Sequence, residues 1–186
     1  MGSRRKESSI EREARFEAIF RAHVTRVRAY VARRTAEGIE DVVAETFMVA
    51  WRRFDDIPAD ALPWLLGVAR RQLANQRRSE RRRGMLRARL EHETPGFVIH
   101  AGGDPRADAV SVALGAMRER DREVLLLVER DGLSREEAAR VLGVSRAQVR
   151  VRLHRARRRF AALYEQASQT PCPISPALEG VPDVRS

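Results

Sequence analysis

Cysteine occurs once in the 186 residues, at Cys172, and a lone thiol can form no internal disulfide. That removes the disulfide-stapled secreted scaffolds and fits a cytoplasmic chain. Histidine is confined to positions 23, 92, 100 and 154, spacings that hold no metal-ligand set. Apolar runs are a few residues long, too short to cross a bilayer, and residues 1–13 contain no apolar segment of the signal-peptide kind. Glycine-rich phosphate loops, Gly-x-Ser-x-Gly elbows and paired carboxylates beside a histidine are missing too, which argues against enzymatic activity and against a cofactor. Lysine is nearly absent: Lys6 is the only one among 36 basic residues. The net charge of +10 and the pI of 11.2 therefore rest on arginine. Such a balance favours a nucleic acid as partner. A membrane surface fits less well, because no helix pairs a broad aromatic face with these arginines.

What is present concentrates in residues 134–160. Ser134 stands three before Glu137 and Ser145 three before Gln148. In each pair the hydroxyl can accept from a backbone N–H while the later side chain reaches back, so two helices start here. Gly143 lies between them, where the first can end in a left-handed residue. Ala138, Ala139 and Leu142 can face a stripe of Val149, Leu153, Ala156 and Phe160 on the second. This is the spacing of a helix-turn-helix. The polar side of the second helix carries Arg146, Gln148, Arg150, Arg152, His154, Arg155 and Arg157 to Arg159, with no acid between positions 145 and 163. A field that its own helix cannot cancel calls for a polyanion. Arginine's fork matches guanine and glutamine can serve adenine, which places the first two turns against base edges and Arg155 onward against phosphate. For any single arginine a solvated bundle face is the plainer reading; the unneutralised run behind a capped turn is what points to DNA.

The rest of the chain reads as helices. Phe16, Ile19, Phe20, His23, Val24, Val27, Tyr30 and Val31 mark one amphipathic helix ending near Gly38. Over residues 40–54, Val43, Phe47, Ala50, Trp51 and Phe54 form a core stripe, while Asp41, Glu45, Met48 and Arg52 form a second stripe suited to a protein contact. Asp41 and Glu45 read equally well as helix-dipole partners. Residues 55–63 contain two prolines and three acids and read as a loop, after which Trp64 restarts a helix lined by arginines from Arg70 to Arg83. Trp64 is most simply a core anchor, with base stacking the alternative. Residues 85–107 lose periodicity and read as a linker, whose apolar run at 97–99 docks on something. Asp121 caps a further helix that stops at Gly132, and from about residue 165 the chain is a Pro-rich tail. The expected fold is all-α: a mobile lead (1–13), a three-helix domain (14–84), the linker, a helix-turn-helix domain (108–164) and a disordered tail.

Together, the segments EDVVAETFMVAWRRF at 40–54, PWLLGVARRQLANQRRSERRR at 63–83 and the stretch from Met117 to Phe160 resemble the extracytoplasmic-function class of bacterial RNA polymerase sigma factors. The resemblance implies an alternative sigma factor, with core RNA polymerase and promoter DNA as partners and an anti-sigma protein as regulator. The first segment is similar to the family's contact with the beta-prime clamp helices, which implies Asp41, Glu45, Phe47, Met48, Trp51 and Arg52 as polymerase-binding residues. The second implies minus-ten DNA contacts at Asp56, Trp64, Arg70, Arg71, Asn75 and Arg78, with the loop at 55–63 placed to take a flipped base. Arg71 and Asn75 depart from the family's usual Asn and Asp, so the preferred minus-ten sequence does not follow. The third implies minus-thirty-five contacts at Ser145, Arg146, Gln148, Arg150, His154, Arg155 and Arg157, and a place near the beta flap. The rival readings are a stand-alone helix-turn-helix regulator, which needs a dimer seam that the sequence does not show, a DNA-acting enzyme and an arginine-rich RNA scaffold.

Overall fold

A computed structural model of the chain describes residues 9–87 and 105–169, and the elements among them are helical. The run at 97–99, most of the linker, the tail from residue 170 and Cys172 lie outside the described residues. The first domain comprises α1 (Ser9–Ala32), α2 (Ile39–Arg52) and α3 (Ala61–Arg87). The second comprises α4 (Pro105–Ala116), α5 (Glu119–Leu125), α6 (Arg135–Leu142) and α7 (Arg146–Gln169). Helix thus extends beyond the boundaries expected from sequence at positions 9, 87, 105 and 169.

The apolar stripe of α1 is buried only at its end, where Val27, Tyr30 and Val31 are inaccessible. The helix stops at Ala32 rather than near Gly38, because Arg33 and Arg34 turn away, with the Arg34 N–H on the Val31 carbonyl at 2.8 Å. Gly38 keeps a left-handed φ of 65° but precedes α2. In α2, Val42, Val43, Thr46, Phe47 and Ala50 are buried, and the Thr46 hydroxyl donates to the Val42 carbonyl at 2.7 Å, which satisfies a polar group inside the core. Trp51 departs from the expected core stripe: it is 38% exposed. A short 3-10 turn at Phe54–Asp56 follows, and α3 begins three residues before Trp64, so the loop is shorter than expected. Pro63 falls in the first turn of α3, where a missing N–H breaks no helical bond.

In the second domain α5 follows an extended Arg118, and Asp121 sits inside its first turn instead of capping it. The helix widens into a π turn at Leu126–Arg130 that is capped at Asp131, with Gly132 beyond it at a left-handed φ of 70°. Both capping boxes are formed. Ser134 Oγ accepts from the Glu137 N–H at 3.2 Å while Glu137 Oε2 accepts from the Ser134 N–H at 2.6 Å. The Ser145 and Gln148 pair repeats the pattern at 3.2 Å in both directions. Gly143 ends α6 with φ 65°, and Val149, Leu153 and Ala156 of α7 are buried as the spacing predicts.

Periodicity within single helices does not foretell how the domains meet. Their buried side chains form one connected cluster, from Val27 and Leu65 through Leu127 to Leu153. α3 packs against α6 at Gly67, where a Cβ would lie 3.9 Å from Val141 Cα. That is ordinary contact distance, so the space beside position 67 is filled by about one methyl group.

Candidate nucleic-acid and partner interfaces

Four arginine and apolar surfaces follow from this arrangement. The first is a groove of about 260 Å³ between α1 and α2, lined by Phe16, Phe20, Phe47, Met48, Trp51 and Arg52 with Ala44. Phe16 meets Trp51 edge-on at 5.1 Å and Phe20 meets Phe47 at 4.7 Å, favourable geometries for ring quadrupoles. Met48 is 46% exposed beside them, whereas Phe47 is a buried floor residue. Arg12 covers the far edge, its guanidinium 5.2 Å from the Trp51 ring centre and bonded to the Trp51 carbonyl at 3.0 Å. Asp41 and Glu45 are exposed on α2 and make no ion pair among the described residues. Periodicity puts Phe16 and Phe20 on the apolar face of α1; that Phe20 stays exposed depends on where α2 crosses α1.

The second surface is α3. Arg70 and Asn75 are exposed, and Arg71 and Arg78 donate Nε to the carbonyls of Gly67 and Ala74 on their own helix at 3.1 and 3.4 Å. These four side chains line one cleft. Asp56 and Trp64 stand apart from it. Asp56 accepts from Arg53 Nε at 2.8 Å, and Arg53 lies 5.8 Å from the centre of the half-buried Trp64 ring.

The third is the outer face of α7, where Arg146, Gln148, Arg150, His154, Arg155 and Arg157 are all exposed. One expectation needs correction. The face is not free of acids, because Glu136 of α6 pairs with Arg146 at 2.6 Å and Glu129 pairs with Arg157 at 2.6 Å. Gln148 Oε1 accepts from the Ser145 N–H, which leaves one lone pair on that oxygen and the Nε2 donors for another partner. Arg150 and His154 are exposed one turn apart on α7 and pair with no carboxylate among the described residues. Glu137 is held below the ordinary carboxylate range, chiefly by the Ser134 side-chain hydrogen bond.

The fourth surface is internal and joins the domains. Glu123 of α5 accepts from the Tyr30 hydroxyl and from Arg34 Nε, both at 2.8 Å. Asp131 pairs with Arg33 and lies 3.5 Å from Arg34 Nη2. Arg34 also lies over the Tyr30 ring at 3.5 Å and donates to the Tyr30 carbonyl at 2.9 Å. Burial pushes the Tyr30 hydroxyl well above its ordinary range. Burial likewise raises Asp131, against the lowering effect of Arg34 and Arg33. At Arg34 burial opposes the charge, but Tyr30, Glu123 and Asp131 outweigh it and the pKa rises. Pairs separated by about ninety positions leave no periodic trace, so this cluster was not legible in the sequence.

An all-helical pair of domains, one ending in a capped helix-turn-helix and both faced with arginine, defines a DNA-directed transcription factor. The family models make the class specific: residues 19–83 match Sigma-70 region 2 and residues 107–160 match Sigma-70, region 4. The ECF RNA polymerase sigma factor EcfG of Rhodopseudomonas palustris is 30% identical over 135 residues, covering 69% of this chain and 72% of that protein. The probable RNA polymerase sigma factor RfaY of Xanthomonas campestris is 35% identical over 132 residues, 63% of this chain, and the match spans only 32% of that longer protein. CnrH of Cupriavidus metallidurans is 29% identical over 144 residues, 70% of this chain and 75% of that one. Its solved structure, with the cytosolic domain of CnrY, aligns with a TM-score of 0.57 at 26% identity over 83% of this chain and 90% of that one. The chain belongs to the extracytoplasmic-function sigma factors of the sigma-70 family. It is therefore a promoter-directing initiation factor and not a free-standing regulator. Among the described residues no helix is long and apolar enough to cross a membrane.

Proposed function

We propose that the groove of α1 and α2 holds core RNA polymerase while α3 and α7 read separate halves of a bipartite promoter. The observation that carries this reading is an apolar aromatic groove that shares no lining residue with either arginine surface on the same chain. The division is a polymerase and minus-ten domain over residues 14–84 and a minus-thirty-five domain over 108–164, with the linker at 85–107 between them. Asp41, Glu45, Met48, Trp51 and Arg52 touch the beta-prime clamp helices, with Phe47 supporting them from below. Arg70, Arg71, Asn75 and Arg78 meet the minus-ten strand, together with Asp56 and Trp64 at the other end of α3. Arg150 and His154 enter the major groove, Arg146, Arg155 and Arg157 meet phosphate or exchange their acidic partners for it, and Ser145 and Gln148 fix the helix start. The second domain sits near the beta flap. Neither domain has chemistry of its own, and the chain works in the cytoplasm, where its polymerase is.

The packed arrangement opens in this mechanism. The cleft that contains Arg70, Arg71, Asn75 and Arg78 also contains Arg152 of α7 and is about 680 Å³, far too small for a duplex. A major groove about 12 Å wide must accept α7 while strand DNA lies on α3, so the domains separate on the polymerase. An anti-sigma protein that covers the aromatic groove is the regulator this reading implies; CnrH is solved in complex with the cytosolic domain of CnrY. The test is affinity for purified core polymerase. Trp51→Ala combined with Phe20→Ala should weaken it at least tenfold with the fold intact; unchanged affinity would remove the groove from the mechanism.

A further inference from the structure

Between the domains, the cleft of about 680 Å³ is walled on one side by Arg70, Arg71, Arg77 and Arg78 of α3 and on the other by Arg120 of α5 and Arg152 of α7, with Arg34 at its base. Seven guanidinium groups face two carboxylates, a formal surplus of five positive charges. Both carboxylates are already engaged: Glu123 by Tyr30 and Arg34, Glu119 by Arg77. Arg70, Arg120 and Arg152 therefore meet no carboxylate among the described residues. Like charges converging on a partly enclosed space repel, and the repulsion acts directly against domain closure. A volume in the small-molecule range, roughly 300–1,000 Å³, lined by planar donor forks is suited to phosphate groups, which arginine binds bidentately. One phosphate, with about two charges at neutral pH, leaves most of the surplus of five unneutralised, whereas several linked phosphates can match it.

We propose that this interdomain cleft binds an oligophosphate, as a nucleoside polyphosphate or as inorganic polyphosphate, and that the bound anion clamps the two domains together. The bound anion neutralises the facing arginines of α3, α5 and α7. It also occupies the α3 surface assigned above to promoter DNA, so occupancy and promoter reading are mutually exclusive. Anion binding itself does not depend on the promoter assignments and is measured without polymerase.

The experiment titrates the full chain with inorganic tripolyphosphate by calorimetry at constant ionic strength, alongside ATP, AMP and orthophosphate. In parallel, paired fluorophores on α1 and α7 report the distance between domains. Tripolyphosphate should bind and narrow the distance distribution, and orthophosphate should do neither. If ATP matches it while AMP fails, a nucleotide is the source; if tripolyphosphate alone acts, the source is inorganic. Arg120→Gln with Arg152→Gln should weaken binding about tenfold or more, as expected for lost bidentate contacts, without lowering unliganded melting, since it removes repulsion rather than a contact. Arg21→Gln with Arg135→Gln, an equal loss of charge on exposed helix faces, should leave it within about threefold. Equal weakening by both double variants would overturn the site as generic polyelectrolyte binding. Tighter capture of a short single-stranded DNA through the same residues would overturn the ligand class.

Discussion

Arg34 Nε donates to Glu123 Oε2 at 2.8 Å across the boundary between the two domains, with both side chains largely buried. A buried pair of this kind contributes little net stability, yet removing one partner strands the other at a cost of about 3–5 kcal/mol. Arg34→Ala leaves Glu123 without its cation and Asp131 with Arg33 alone. The expected result is a more open chain, seen as a larger radius of gyration in solution scattering, with each domain still helical. An unchanged radius would mean that apolar packing alone holds the domains.

Gly67 tests that apolar contact. A Cβ added there would meet its nearest neighbours at 3.8 to 3.9 Å, ordinary contact distance, so Gly67→Ala fits and should stabilise α3 by up to about 1 kcal/mol. Gly67→Leu has no such room and should separate α3 from α6. Thermal melting distinguishes the pair: the two substitutions should move the midpoint in opposite directions.

The helix-turn-helix was legible because its signals are local. Ser134, Gly143 and Ser145 fix helix ends through neighbours three or four positions away, and the buried face of α7 repeats at helical spacing. What was not legible is long-range. Glu136 and Glu129 neutralise Arg146 and Arg157 from other elements, Phe20 becomes a groove wall only once α2 crosses α1, and the Arg33, Arg34, Glu123 and Asp131 cluster exists only when the domains pack. The exposure of Trp51 has the same origin, since a residue at a core-like spacing is covered only if another element lies over it.

Acid should loosen the helix-turn-helix through Glu137. Its folded pKa is depressed by the Ser134 hydrogen bond, so its contribution is present above the ordinary value of 4.5 and disappears as pH falls through the folded value. Asp131 has the opposite sign: its raised pKa means that the packed state takes up its proton more readily, so protonating it favours packing. Melting of the wild type and Glu137→Gln between about pH 6 and pH 3 should converge at the acid end; parallel curves would remove Glu137 as the source.

On promoter DNA, Arg150→Ala should lose selectivity at one base pair, by about 1–3 kcal/mol if the contact is bidentate to guanine. Equal losses on every sequence would mark Arg150 as a phosphate contact. Asp41→Ala with Glu45→Ala should lower affinity for core polymerase and leave DNA binding by the helix-turn-helix unchanged; unaltered core affinity would leave these acids as helix-dipole partners only.

The most direct test fixes the domains in the packed state. In a Cys172→Ser background, Gly67→Cys with Val141→Cys places two thiols across the α3–α6 contact, where the Cβ at 67 is 3.9 Å from Val141 Cα, and loss of both free thiols on oxidation verifies the disulfide before transcription is measured. Transcription by core polymerase is then measured on a promoter selected from random DNA by the wild-type complex. The reduced protein should initiate at a discrete start site, the oxidised protein should not, and reductant should restore activity. Full activity with the disulfide intact would contradict separation of the two readers, and no initiation by the wild type would contradict the bipartite mechanism itself.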